Sequence, residues 1–207
     1  MIDEAKSLSG EPDHRARVDQ RRADLRLALA PLLSAHPTIV LEVGCGHGHF
    51  LTAYAAARPT QICVGIDLSL DRIARAERKR VRAGLANLHF IRADADDFFA
   101  SLPAGTFFSA LFILFPDPWP KRRHHKNRLL QPAFVAQIAE RAGQGARLHF
   151  RTDYKPYFAE AAETLRASSA WRLVDEPWPF EVETVFQRRA AGYQSLTALR
   201  RPADSPP

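Results

Sequence analysis

Between Phe115 and Phe134 the chain reads FPDPWPKRRHHKNRLLQPAF, which joins an acid, an indole ring and a dense positive field in a way that packing alone does not require. Pro116, Pro118 and Pro120 carry no backbone N–H and push the residues before them toward extended conformations, so Asp117 and Trp119 are expected in a stiff loop. The apolar run Phe107 to Phe115 suits a buried strand, which puts that loop at a strand's carboxyl end, where open α/β sheets place ligands. From Lys121 to Arg128, five of eight positions are Lys or Arg and two more are His. A basic run by itself is more often a solvated helix start. Here the proline-locked acid and ring directly before it favour contact with phosphate.

A second constellation, Glu42-Val43-Gly44-Cys45-Gly46-His47-Gly48, places three glycines on alternate positions after an apolar run. Glycine at a strand-to-helix turn lets the backbone turn tightly and lets a ligand approach where a Cβ would collide. Asp67 follows Gly48 by nineteen residues, at the end of the next apolar run, well placed to accept from ribose hydroxyls. A nucleoside cofactor is therefore expected. A dinucleotide is disfavoured, because G-x-G-x-G lacks the last glycine offset of G-x-G-x-x-G. Glu42 points the same way: a carboxylate closing an apolar strand needs a cationic or hydrogen-bonding partner, and a pyrophosphate is an anion. S-adenosylmethionine carries an amino group and a sulfonium centre. Asp94 is placed to reach an adenine, and equally to cap a helix over Ala95 to Ala100. His47 and His49 have no third ligand in register, so no metal is expected.

The elements that must position these residues alternate. Strands are predicted at 38–43, 61–67, 87–93, 107–115 and 145–151, with helices at 50–57, 69–83, 131–142 and 155–168 between or after them. Two closing strands, Trp171 to Val174 and Thr184 to Arg188, could pair as an antiparallel edge. This pattern predicts an α/β fold with a mostly parallel, doubly wound sheet. Residues 1–13 read as a flexible arm, 14–34 as a basic helix whose arginines are either a contact surface or a solvated face, 38–190 as the core and 192–207 as a frayed tail, all within one domain.

Composition bounds the partners. In 207 residues, 29 Lys and Arg against 23 Asp and Glu give a net charge of +6, which makes a polyanion a natural partner. Cys45 and Cys63 lack metal or redox spacing and read as reduced core thiols, which suits the cytoplasm. No apolar run reaches the roughly 20 residues that cross a bilayer, and the N-terminus lacks a signal core, so no membrane association is expected. No obligate protein partner is implied, and the chain is expected to be a monomer or a homodimer.

The motifs LEVGCGHG, GID, ADA, FPDPWPKRRHHKNRLLQPAF, RTDYKPY and TVFQRRAAG together resemble the tRNA (guanine-N7)-methyltransferase family, from about Ile39 to Gly192. The resemblance implies a Rossmann-like class I methyltransferase fold and methyl transfer from S-adenosylmethionine to guanine 46 of the tRNA variable loop. It also implies a donor site lined by Glu42, Gly44, Gly46, Gly48, Asp67, Asp94 and Asp117, with Asp117 catalytic. Lys121, Asp153 and the segment Thr184, Val185, Phe186, Gln187 would contact tRNA. Where the family pattern reads T-K-F-E, this chain has Val185 and Gln187 in place of a cation and an anion.

The chemistry is consistent with those residue types. Guanine N7 carries a lone pair and no proton, so its methylation needs no general base. Positive charge moves onto the purine, where Asp117 could stabilise it or could instead hold the N1 and N2 donors. Asp153 suits the same base edge or a helix N-cap, and Trp119 suits stacking or simple packing. A small-molecule methyltransferase and a non-catalytic RNA-binding relative are the competing functions.

Overall fold

A computed structural model describes residues 10–33, 35–183, 187–188 and 190–202. Five strands alternate with helices: β1 (Thr38–Val43), α2 (His49–Ala57), β2 (Ile62–Asp67), α3 (Leu70–Ala83), β3 (Leu88–Arg92), α4 (Ala95–Ser101), β4 (Phe107–Leu114), α5 (Pro132–Glu140) and β5 (Ala142–Thr152). Helix α1 (Gly10–Leu33) precedes them, and α6 (Lys155–Ala167), β6 (Trp171–Val174) and β7 (Gln194–Arg200) follow. The sheet order is β3-β2-β1-β4-β5-β7-β6. Strands β3 through β5 pair in parallel, while β7 runs antiparallel to both β5 and the edge strand β6.

The alternation of β1 and β4 explains why helices cover both faces. Ile39, Leu41, Phe108, Leu111 and Ile113 join one buried cluster with α1, α4, α5 and α6, whereas Val40 and Phe112 join another with Phe50, Leu51 and Tyr54 of α2. Successive strand side chains point to opposite faces, so two-sided burial demands continuous apolar runs, which these strands have. Helix α1 seats on the sheet through Leu25, Leu29 and Leu33, spaced at one helical face. Its Arg21 and Arg22 donate to Asp97 of α4 at 3.1 and 2.8 Å, so part of the arginine-rich helix docks rather than faces solvent. Burial pushes the Asp97 carboxyl upward, and the two arginines more than offset this and hold it below the usual range.

Several boundaries differ from expectation. Residues 10–13 belong to α1 rather than to an arm, and residues 1–9 lie outside the described residues. The tail from 192 does not fray at its start: Gln194–Arg200 is strand β7, slotted between β5 and β6. The expected strand at Thr184–Arg188 is not extended where it is described, since Gln187 and Arg188 are helical, and 184–186 lie outside the described residues. The β7 sequence QSLTALR alternates only weakly, whereas TVFQR is richer in β-formers, so local propensity favoured the wrong segment. The free cysteines Cys45 and Cys63 are both buried.

Candidate active site

Strand order reverses between β1 and β4: the chain winds outward through β2 and β3, then returns to pair β4 on the other side of β1. A cavity of about 630 Å³ opens at this switch point, at the carboxyl ends of β1, β2 and β4. Glu42, Gly44, Gly46, Asp67, Asp94 and Asp117 all line it, as do Phe115, Pro116 and Trp119. Residues far apart in sequence are brought together because open α/β sheets leave a crevice where crossovers diverge.

The glycine turn forms one wall. Gly44, Gly46 and Gly48 have φ of +76°, +54° and +68°, the left-handed region that side chains avoid. Among the described residues, a Cβ on Gly44 or Gly46 would meet no atom within 4 Å, so both face open space. Gly48 differs. Its Cβ would lie 2.4 Å from Phe90 Cζ and 2.9 Å from Ala76 Cβ, so the third glycine serves helix packing, not ligand approach. Asp67 holds the turn: its carboxylate accepts from the amides of Gly46 at 3.0 Å and Ser69 at 2.8 Å, with Arg72 at 3.6 Å.

Glu42 is 3% exposed, and among the described residues its Oε2 has no hydrogen-bond partner. Burial pushes its carboxyl up to about 8, opposed by the Leu51 backbone amide and raised further by Asp67. A buried carboxylate with one oxygen unpartnered is costly. It suits a ligand whose cation would enter here, and it fits a nucleoside donor bearing an amino group better than any polyphosphate.

The β4 wall is built from the proline loop. Phe115 and Trp119 adopt φ of +50° and +44°, both directly before prolines, where such geometry is especially disfavoured. The prolines leave the loop short of donors, so carbonyl acceptors must anchor it. Arg128 supplies the donors. It is 2% exposed, with Nε 3.0 Å from Pro118 O and Nη2 3.4 Å from Trp119 O, and its Nη1 donates to Glu160 of α6. The guanidinium also lies over the rings of Tyr157 and Tyr154, at 5.1 and 5.8 Å. This corrects the reading of every cation in the run as a phosphate ligand: Arg128 is structural, while Lys121, Arg122, Arg123 and Lys126 are exposed. Asp117 itself is exposed on the cavity rim, and Trp119 lies edge-on to His124 at 5.7 Å.

Asp94 caps α4, its Oδ1 accepting from Asp96 and Asp97 amides at 2.9 and 3.4 Å, while remaining on the cavity. Asp153 is exposed after β5 but does not cap α6: Tyr154 occupies the cap position, and its amide donates to Thr152 Oγ1 at 3.2 Å. Among the expected tRNA contacts, Thr184, Val185 and Phe186 lie outside the described residues, and Gln187 Nε2 donates to Tyr193 OH at 2.9 Å. Arg151, which opens the RTDYKPY motif, has no role expected from sequence and is buried at the end of β5. It pairs through both Nη atoms with Glu181, donates to Ser195, and lies 3.8 Å from the Trp178 ring. Its carbonyl accepts from Phe115 N at 2.8 Å, tying the proline loop to β5.

The family described as "Putative methyltransferase" matches residues 36–191. The tRNA (guanine-N(7)-)-methyltransferase of Caulobacter sp. (strain K31) is 34% identical over 175 residues, covering 82% of this chain and 77% of the relative. That of Halorhodospira halophila is 35% identical over 156 residues, covering 72% and 68%. In fold, the 16S rRNA methyltransferase KamB aligns with TM-score 0.60 at 21% identity, over 80% of this chain and 88% of its own. The 16S rRNA (adenine(1408)-N(1))-methyltransferase of Catenulisporales acidiphilia, solved with cosubstrate SAM, aligns with TM-score 0.57 at 17% identity, over 91% and 93%. Sequence kinship over the stretch that builds both walls of the cavity, joined to a shared fold, leads to one assignment: the chain belongs to the tRNA (guanine-N7)-methyltransferase family and is an S-adenosylmethionine-dependent methyltransferase.

Proposed function

We propose that this chain methylates N7 of guanine 46 in the variable loop of tRNA. The observation that carries the reading is Asp117, held by a strained proline loop on the rim of the cavity that also contains the unpartnered Glu42. When bound, S-adenosylmethionine supplies an electrophilic methyl group. Glu42 would pair with its amino group, Asp67 would accept from ribose hydroxyls, and Asp94 would reach the adenine edge. Gly44 and Gly46 give the open backbone that close approach needs.

On the substrate side, guanine N7 offers a lone pair and carries no proton, so a methyl group supplied by the donor would be accepted with no general base. Asp117 is the catalytic residue: its carboxylate stabilises the charge arriving on the purine, an interaction stronger in the transition state than before it. Fixing the loop with prolines and Arg128 holds that carboxylate ready, so little reorganisation is needed during transfer. Lys121 and its exposed neighbours contact phosphate, Asp153 faces the base edge, and the Thr184, Val185, Phe186, Gln187 segment completes the tRNA contact.

The test uses methyl-labelled donor, tRNA lacking N7-methylguanosine, and the same tRNA with guanine 46 changed to adenine. Labelled N7-methylguanosine is expected from the first tRNA only, with a loss of about 100-fold or more in Asp117→Ala. No labelled nucleoside from folded, donor-binding protein would defeat the reading. Tight tRNA binding without transfer would leave a non-catalytic RNA-binding relative instead.

A further inference from the structure

Helix α3 carries more positive charge than the fold and the donor site use. Within Leu70–Ala83 stand Arg72, Arg75, Arg78, Lys79, Arg80 and Arg82 against Asp71 and Glu77. Six cations against two acids give +4, two thirds of the net +6 of the whole chain. Both acids are already engaged, Asp71 with Arg75 at 3.0 Å and Glu77 with Arg80 at 2.5 Å. Arg72, Arg75, Arg78 and Arg82 are exposed.

The spacing makes this arrangement unfavourable for the free helix. Residues three or four apart are neighbours on a helix surface, and like charges there repel. Arg72–Arg75, Arg75–Arg78, Arg75–Lys79, Arg78–Arg82 and Lys79–Arg82 are all such pairs. Arg80 and Arg82 suit the negative end of the helix dipole, but Arg72 and Arg75 stand near the positive end, where cations are disfavoured. Lys79 is drawn below its usual range by partial burial and by Arg82, while its ammonium donates to His47 O in the glycine turn at 2.8 Å. The helix starts at the cavity itself, since Leu68, Ser69 and Arg72 line it. From there Arg72, Arg75, Arg78, Lys79 and Arg82 follow one face for roughly 15 Å at the helical rise. On the β4 side, Trp119 and Asn127 line the cavity, and between them Lys121, Arg122, Arg123 and Lys126 are exposed.

We infer that this face of α3 is a second phosphate-binding surface for the RNA substrate, so that the polyanion is gripped on both sides of the cavity. The inference rests on the tRNA reading above. A polyanion neutralises the stripe and relieves the repulsion within it, whereas a solvated face gains nothing from such clustering. The contact positions the RNA without reading its sequence.

The decisive variant is Arg78→Gln with Arg82→Gln, two exposed residues outside the cavity. Its charge-matched control is Arg166→Gln with Arg172→Gln, on α6 and β6 beyond β5. Equilibrium binding of unmodified tRNA to the full chain is measured across a salt series, beside methyl transfer at saturating tRNA and donor affinity. The expected result is a Kd raised at least several-fold and a log Kd against log salt slope lower by about 2 for the α3 pair, about one per lost phosphate contact. The control pair stays near wild type, and both keep donor affinity and transfer rate at saturating tRNA. An unchanged Kd and slope in the α3 variant would overturn the inference, as would an equal loss in the control. If instead wild-type protein neither binds nor methylates tRNA, the substrate assignment itself has failed, and the stripe with it.

Discussion

The two walls of the cavity are held still by opposite chemistry. On the β1–β2 side the chain turns through glycines that keep their N–H groups, and a carboxylate accepts: Asp67 from Gly46 and Ser69. On the β4 side the chain turns through prolines that have none, and a guanidinium donates: Arg128 to Pro118 and Trp119. The residue type that stiffens a turn thus dictates the partner that must fix it. Strain differs as well. Left-handed φ is free for Gly44 and Gly46, but Phe115 and Trp119 at +50° and +44° cost roughly 1–3 kcal/mol each. The wall that carries Asp117 is therefore under tension, and it leans on one buried arginine.

That asymmetry is broken most severely at Arg128. In Arg128→Ala both loop carbonyls lose their donor and Glu160 loses its cation. A loss of roughly 3–4 kcal/mol in urea unfolding is expected, toward the low end for a broken buried pair because Glu160 is about one third exposed. Arg128→Lys sharpens the comparison, since an ammonium can keep the charge on Glu160 but cannot fork across two carbonyls. Folded Arg128→Lys should bind donor normally and transfer methyl far more slowly. Wild-type transfer in that variant would show that the loop does not depend on the arginine.

Next in size is the pH dependence written into the opposite wall. The Glu42 carboxyl is raised from 4.5 to about 8 by burial, so between those values the folded protein holds a proton that the unfolded chain has released. Stability of the donor-free protein should therefore fall as pH rises, by about 2–3 kcal/mol from pH 6 to pH 8, and level off above the folded value. His149, lowered to about 4 by burial, acts oppositely: its contribution is present above its ordinary value and is lost as pH falls below it, mostly outside this window. Urea midpoints across pH should show the slope in wild type and a nearly flat line in Glu42→Gln. Donor affinity should run the other way, rising with pH as the carboxylate ionises, with proton release on binding seen by calorimetry in buffers of different ionisation enthalpy. A wild-type slope matching that of Glu42→Gln would remove the buried carboxylate as the cause.

Much of this was legible because it is local. Alternating apolar runs and punctuation gave the strands from β1 to β5, Ser69 gave the start of α3, and the glycine turn and proline loop gave both walls. What escaped depends on contacts across the chain. Nothing near Arg128 separates it from the exposed cations before it; only a loop deprived of N–H groups, anchored by a donor ten residues on, makes it structural. Arg151 stands in the RTDYKPY motif, but its role is hidden in the same way, its partners Glu181 and Ser195 lying 30 and 44 residues away. Strand β7 escaped because an inserted antiparallel strand is specified by its neighbours, β5 and β6, more than by its own weak pattern. Asp94 caps α4 and also lines the cavity, so capping does not remove its side chain from the space a ligand would fill.

The smallest expected effect is a difference within the glycine wall. Alanine at Gly46 meets only the strain of a left-handed φ, about 1 kcal/mol, because among the described residues no atom lies within 4 Å of its Cβ. Alanine at Gly48 meets the same strain and drives its Cβ against Phe90 and Ala76, which adds roughly 1–2 kcal/mol. In stability, then, Gly48→Ala should be the worse variant. In donor affinity the order should reverse, since the Gly46 methyl would project into space the ligand needs, while the Gly48 methyl points into the packing between α3 and β3. Thermal unfolding paired with donor titration of the two variants reads both orders. If Gly48→Ala proves worse in both, the third glycine belongs to the ligand after all, and this wall is built as a single cradle rather than as a cradle resting on a packing joint.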